Sequence, residues 1–268
     1  MREKISRIAV LVSVAAFGVL WYLDPVYSQD ETVQFLWKSL VFRVLGSAVF
    51  LSLCVYFGYR ICNRPPLSSW AIWLPCLAVV INNLPILALV NGTAWVERWE
   101  LFPLFIADSL FIGIFEELAF RGTLFLAILE KRRDSTKRIF WTTVISSAVF
   151  GLVHFANLLE GAGVGATVMQ VGYSFLIGGM CSIVLLKTGN IIFCILLHAI
   201  FDFCGNLVPM LGGGDLWDTP TIVITAVLAV IVTVWELFVL LRVKPEETDR
   251  FYPIKKDKEA ETTVAEET

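Results

Sequence analysis

The sequence predicts an all-α fold, a polytopic integral membrane bundle of about eight transmembrane helices. Three observations carry that reading. Of the 268 residues, 57% are hydrophobic and only 17% are charged, with a mean hydropathy of +0.75, whereas soluble domains carry roughly a quarter charged residues. Several apolar runs approach the ~20 residues needed to cross a hydrocarbon layer of about 30 Å. Lys and Arg, finally, gather in alternate connections between those runs, as they do in helical membrane proteins. The formal net charge of −3 is mild, and nothing in it points to a nucleic-acid partner.

The eight spans fall at about Ile8–Leu23, Phe35–Tyr59, Trp70–Val90, Leu101–Leu129, Ile139–Leu158, Thr167–Leu186, Ile191–Leu211 and Thr221–Leu241. The first follows "MREKISR", a signal-peptide-like start. "WYLDPV" stands where a small-residue cleavage site would be, so the segment reads as an uncleaved anchor. With the N-terminus in the cytoplasm, seventeen of the 21 Lys and Arg residues fall in inside segments and only Arg98 in an outside connection. Lys38, Arg43 and Arg121 lie within spans. Both termini are therefore expected to be cytoplasmic, in a cell membrane or endoplasmic reticulum. The chain divides into N-terminal helices (1–100), a polar-centred membrane core (101–211), a last helix (212–243) and a polar tail (244–268) expected to be disordered.

The smaller signals read as structure. Cys54, Cys62, Cys76, Cys181, Cys194 and Cys204 lie in or beside spans without C-x-x-C spacing, which suits packing residues. "NGT" at Asn91 matches a glycosylation acceptor by chance, close to the membrane. "GAGVG" (Gly161–Gly165) has no strand before it, so it reads as a turn. "GGGDLWD" (Gly212–Asp218) reads as a flexible outer loop.

The fourth span is unlike the others. It carries Asp108, Glu116, Glu117 and Arg121. A mid-membrane charge costs about 2.5–3.5 kcal/mol on insertion scales, and each large apolar residue returns only about 0.3–0.6 kcal/mol. Such a helix belongs with its charged face against a bundle or a water-filled cavity. Glu117 and Arg121, four apart, stack on one face and can pair. Glu116 points about 100° away. The only two histidines, His154 and His198, lie in other spans. Asp202, four residues after His198, shares its face. Similar depths let these groups converge in mid-membrane. Lys38 is placed to snorkel at the outer edge, Arg43 has Asp108 as one available partner, and Asp108 is a candidate to line the same cavity.

"EELAFR" (Glu116–Arg121), "FGLVH" (Phe150–His154) and "HAIFD" (His198–Asp202), in that order, resemble the motifs of the CAAX protease and bacteriocin-processing family. These intramembrane proteases are also called Abi or type II CAAX prenyl endopeptidases. The resemblance covers roughly Leu101 to Pro209. The sequence departs from the prenyl-protein-cleaving members at Asp202, where those have Asn. The resemblance implies an intramembrane endopeptidase. Glu116 would be the general base, and His154 would orient the water. Glu117 would be held by Arg121, His198 and Asp202 would face the oxyanion, and Phe150 would pack beside His154 or touch substrate. Membrane lipids and a peptide or lipidated-protein substrate are the partners this implies.

Two His and a Glu are also ligand types of a catalytic zinc site, so Glu116, His154 and His198 would be the ligands if Zn2+ were bound. No His-Glu-x-x-His helix supports that, and the reading leans toward no tightly held metal. Two other classes fit a polar membrane core. One is a non-catalytic scaffold or bacteriocin self-immunity protein. The other is a proton-coupled carrier, which the absence of an internal repeat disfavours.

Overall fold

The computed structural model describes residues 25–216 and 219–253. The predicted span Ile8–Leu23 and the last residues of the tail lie outside the described residues. What is described is an all-α membrane bundle. Helix α1 (Glu31–Phe57) starts at Asp30, whose carboxylate accepts from the Val33 N–H and so satisfies an orphan donor of the first turn. Helices α2 (Trp70–Ile81) and α3 (Ile86–Asn91) follow. Then come α4 (Phe102–Glu117), a π-helical stretch (Leu118–Phe125) and α5 (Leu126–Glu130). Helix α6 (Thr136–Val153) tightens into a 3-10 turn (His154–Glu160). Helices α7 (Val164–Thr188), α8 (Ile191–Leu211) and α9 (Thr219–Leu240) complete the bundle.

Among the described helices, five are long and apolar enough to cross a membrane: α1, α6 with its 3-10 extension, α7, α8 and α9. The chain is therefore a multi-pass membrane protein, and the expected number of eight spans is not reached by that measure. Two of the remaining spans show why. The third, Trp70–Val90, is not one helix. It breaks between α2 and α3 at "NNLP", because Pro85 has no N–H to give and its ring pushes Leu84 away from helical angles. Asn83 at the break donates instead to the Phe201 carbonyl of α8 (2.9 Å). The fourth span is continuous from Phe102 to Glu130. Any stretch of it long enough to cross contains both Glu116 and Glu117, so it cannot be apolar throughout.

Helix α4 lies between α1 and α8, and α7 packs against α6, α8 and α9. Helix α8 runs antiparallel to α4: Phe203 packs on Phe105 (ring centroids 5.4 Å apart) while Gly113 faces Ala199. A side chain at Gly113 would meet the Ile195 carbonyl at 2.8 Å. This glycine lets the two helices come close at the level of the charged cluster.

Two segments expected to be irregular are built into the fold. Gly212–Gly214 of "GGGDLWD" forms strand β2, antiparallel to β1 (Ala94–Val96). The backbone groups of both segments are thereby paired. The tail is the second case. Pro245–Phe251 forms a 3-10 strap in which Lys187 bonds both Glu247 oxygens (2.9 and 2.8 Å). Arg250 donates to the Leu186 carbonyl (2.5 Å), and the Tyr252 hydroxyl donates to the Leu126 carbonyl (2.9 Å). Phe251 and Tyr252 are buried. Composition suggested disorder here because the segment is polar. Two aromatic residues and an ion pair to the end of α7 are enough to seat it.

Burial opposes ionisation of Glu247, but hydrogen bonds from Lys187 and from the Lys244 N–H outweigh it. The carboxyl is held below its ordinary value of 4.5. A depressed folded value adds stability that is complete above pH 4.5 and is lost as pH falls through the folded value. A spin label introduced by Glu246→Cys, in a chain also carrying Cys62→Ser, should stay immobile at neutral pH. It should become mobile only as pH falls below 4.5 and through the lowered folded value, and Lys187→Ala should abolish that acid transition.

Candidate active site

Four helices bring the sequence-selected residues together. Glu117 ends α4 and is fully buried (0% exposed), as is Arg121 (1%) in the π-helical stretch. Glu117 Oε1 accepts from Arg121 Nη1 at 2.9 Å and from His198 Nδ1 of α8 at 2.7 Å. One carboxylate oxygen thus fixes a guanidinium and an imidazole from two different helices. With Nδ1 committed to Glu117, the His198 ring turns Nε2 toward Glu116 Oε2 (3.5 Å) and Asp202 Oδ2 (3.4 Å). The Glu116 and Asp202 side chains keep some exposure, 17% each. Glu116 is thus less buried than Glu117, which is fully enclosed.

His154 sits where α6 tightens into the 3-10 turn. Its Nδ1 is 2.9 Å from the Phe150 carbonyl. A carbonyl only accepts, so Nδ1 carries the hydrogen and the neutral ring keeps the Nε2 lone pair free. Phe150 does more than pack beside His154. Its ring edge-contacts both histidines (centroids 5.3 Å to His154, 5.7 Å to His198), and the Arg121 guanidinium lies over its face at 4.2 Å. One aromatic ring therefore spaces the two imidazoles and shields the buried cation from lipid.

The π-helical turn was not visible in the periodicity. Thr123 Oγ1 bonds the carbonyl five residues back, at Leu118 (2.9 Å), following the wider spacing of that helix type. Such turns recur at functional sites. Gly178 of α7 is the other hidden element. A Cβ there would come within 3.1 Å of Arg121 Nη2 and 3.2 Å of the Ser147 backbone, so α7 offers Arg121 a bare backbone surface.

Three polar residues near this core carried no weight in the sequence reading. Ser39 of α1, fully buried, donates to the Asp108 carboxylate and accepts from Arg43 Nη1 (2.6 Å). Ser39 thus links Arg43 to Asp108, which the sequence offered as one available partner. Tyr173 of α7 packs on Phe201 (5.6 Å) within the electrostatic reach of Glu116 and Asp202. Glu236, a lone acid in the apolar α9, lies against Gly179. The test that singled out Glu116, a carboxylate in an apolar span, would have found Glu236 as well.

For a metal the arrangement is less suited. Among the described residues no group of three His, Cys, Asp or Glu side chains is placed to hold a metal ion. Glu116, His154 and His198 do not fit a zinc ligand set as placed.

Removing one partner of a buried ion pair leaves the other uncompensated, at a cost of about 3–5 kcal/mol. Arg121→Leu should therefore lower thermal stability in detergent far more than Arg121→Lys. The lysine keeps the charge but loses the planar fork over Phe150. Equal losses from the two variants would contradict the assigned role of the guanidinium.

None of the curated proteins or solved structures compared with the chain matches it. Residues 98–204 match the family described as type II CAAX prenyl endopeptidase, Rce1-like. That stretch holds Glu116, Glu117, Arg121, Phe150, His154, His198 and Asp202. Over this core, though not over the larger part of its length, the chain is similar to that family of prenyl endopeptidases.

Proposed function

We propose that the chain is an endopeptidase that hydrolyses peptide bonds of membrane-associated or lipidated peptides, of the CAAX or leader-peptide type, with Glu116 as general base. The observation that carries this reading is the Glu117 oxygen that bonds His198 Nδ1 and so aims Nε2 at Glu116 and Asp202. A partly exposed carboxylate beside an oriented imidazole is what activation of a water requires.

Glu116 takes a proton from the water as its oxygen attacks the peptide carbonyl carbon. The His154 Nε2 lone pair accepts the second water hydrogen and sets the angle of attack. The carbonyl π pair moves onto oxygen, and His198 Nε2–H donates to that oxyanion. Asp202 beside it holds the imidazolium. The oxyanion then collapses, the C–N bond breaks, and Glu116 returns its proton to the leaving amine. Glu117 and Arg121 take no part in proton transfer; they hold His198 and the helix face. The bias of Lys and Arg among the connections supports both termini in the cytoplasm.

Glu116→Gln keeps the shape and removes the base. In proteoliposomes it should reduce cleavage of an isoprenylated CAAX peptide or of hydrophobic leader peptides at least about 100-fold. Its melting temperature should stay near that of the unmodified chain, because Glu116 does not share the buried Glu117–Arg121 pair. Undiminished turnover by this variant would rule out Glu116 as the base.

A further inference from the structure

The family match begins at residue 98, yet a buried polar chain runs from α1, outside that match, to Asp108 of α4. Arg43 Nη1 donates to Ser39 Oγ at 2.6 Å, and Ser39 Oγ donates to Asp108 Oδ1. Ser39 is fully buried and Asp108 is 3% exposed. The antiparallel packing of α4 on α8 sets Phe105 against Phe203 and Gly113 against Ala199. Asp108, between Phe105 and Gly113, is therefore level with the part of α8 that carries Asp202.

Charge is unevenly shared across this cluster. Glu117 has Arg121 and His198 Nδ1. Asp202 Oδ2, buried, accepts no hydrogen bond among the described residues. Its 3.4 Å neighbour His198 Nε2 is shared with Glu116. The charged groups that bear on Asp202 are His198 on its own helix, Glu116 and Asp108 on α4, and Arg43 on α1. Tyr173 of α7 lies within electrostatic reach of Asp202 and Glu116. Three carboxylates against one imidazole in a low-dielectric site repel one another unless a permanent cation is near. Arg43 is the remaining group of that kind, and guanidinium stays charged wherever it is placed.

We propose that Arg43, through Ser39 and Asp108, is a positioning residue for Asp202: it supplies the positive charge that lets an acidic side chain stand beside His198 Nε2. The proposal rests on the peptidase reading for its kinetic consequence only. It explains how this chain carries Asp202 where prenyl-protein-cleaving members have a neutral Asn, and it assigns the compensation to a helix outside the matched region. Arg43 does not touch substrate; it acts through Asp202.

A double-mutant cycle tests it. Arg43→Gln, Asp202→Asn and the pair would be compared with the unmodified chain in two assays. The first is cleavage of an isoprenylated CAAX peptide in proteoliposomes. Arg43→Gln should lower kcat about tenfold with KM changed less than about twofold. It should add almost no loss when Asp202→Asn is already present, and Arg43→Lys should restore most of the rate. The second is thermal unfolding in detergent, which needs no substrate. Arg43→Gln should lower the melting temperature clearly in the chain with Asp202 and much less in the chain with Asp202→Asn. Losses that simply add in the melting cycle overturn the coupling whatever the peptide does. Absence of cleavage by the unmodified chain would instead sink the peptidase reading, leaving the melting cycle to decide the role of Arg43.

Discussion

The Glu117 carboxylate is the constraint on which the rest of the core depends. It is fully buried in a helix packed between α1 and α8. An isolated carboxylate there would be intolerable, so its partners must be present and correctly turned. Arg121 and His198 answer on one oxygen atom. The pairing joins the end of α4, the π-helical stretch and α8. It also fixes which imidazole nitrogen faces the open part of the site. Stability and orientation are thus set by the same bonds.

The neighbouring elements serve that pairing. Gly113 brings α8 close enough for His198 to reach, and Gly178 leaves room on α7 for the guanidinium. Phe150 covers the cation and touches both histidine rings. The wide turn after Glu117 absorbs a change of helical phase without breaking the chain. Each feature is small in sequence terms, a glycine, an aromatic or one extra residue per turn. Each sits where two helices would otherwise hold the polar groups apart.

The periphery follows a different logic. Pro85 breaks what hydropathy reads as a span, because hydropathy counts apolar side chains and is blind to a missing N–H. The glycine strand Gly212–Gly214 finds its partner in Ala94–Val96, far away in the chain. The strap Pro245–Phe251 is polar in composition, yet Phe251 and Tyr252 bury and Glu247 meets Lys187. Pairing and docking between distant segments leave no local trace, so composition assigns such segments to loops and tails.

The sequence by itself determined that this is a membrane bundle, because chain-wide hydrophobicity has few other outlets. It also determined which residues are chemically out of place. Glu116, Glu117, Arg121, His154, His198 and Asp202 stood out against apolar surroundings, and helical spacing paired Glu117 with Arg121. Only the tertiary structure decided that Glu117 also takes His198, that Phe150 links both histidines, and that a serine joins Arg43 to Asp108. The reason is physical. Helical periodicity fixes neighbours three and four residues apart, whereas which faces meet across helices depends on close approach at glycines, on breaks and on ring packing. Those contacts are properties of the assembled bundle.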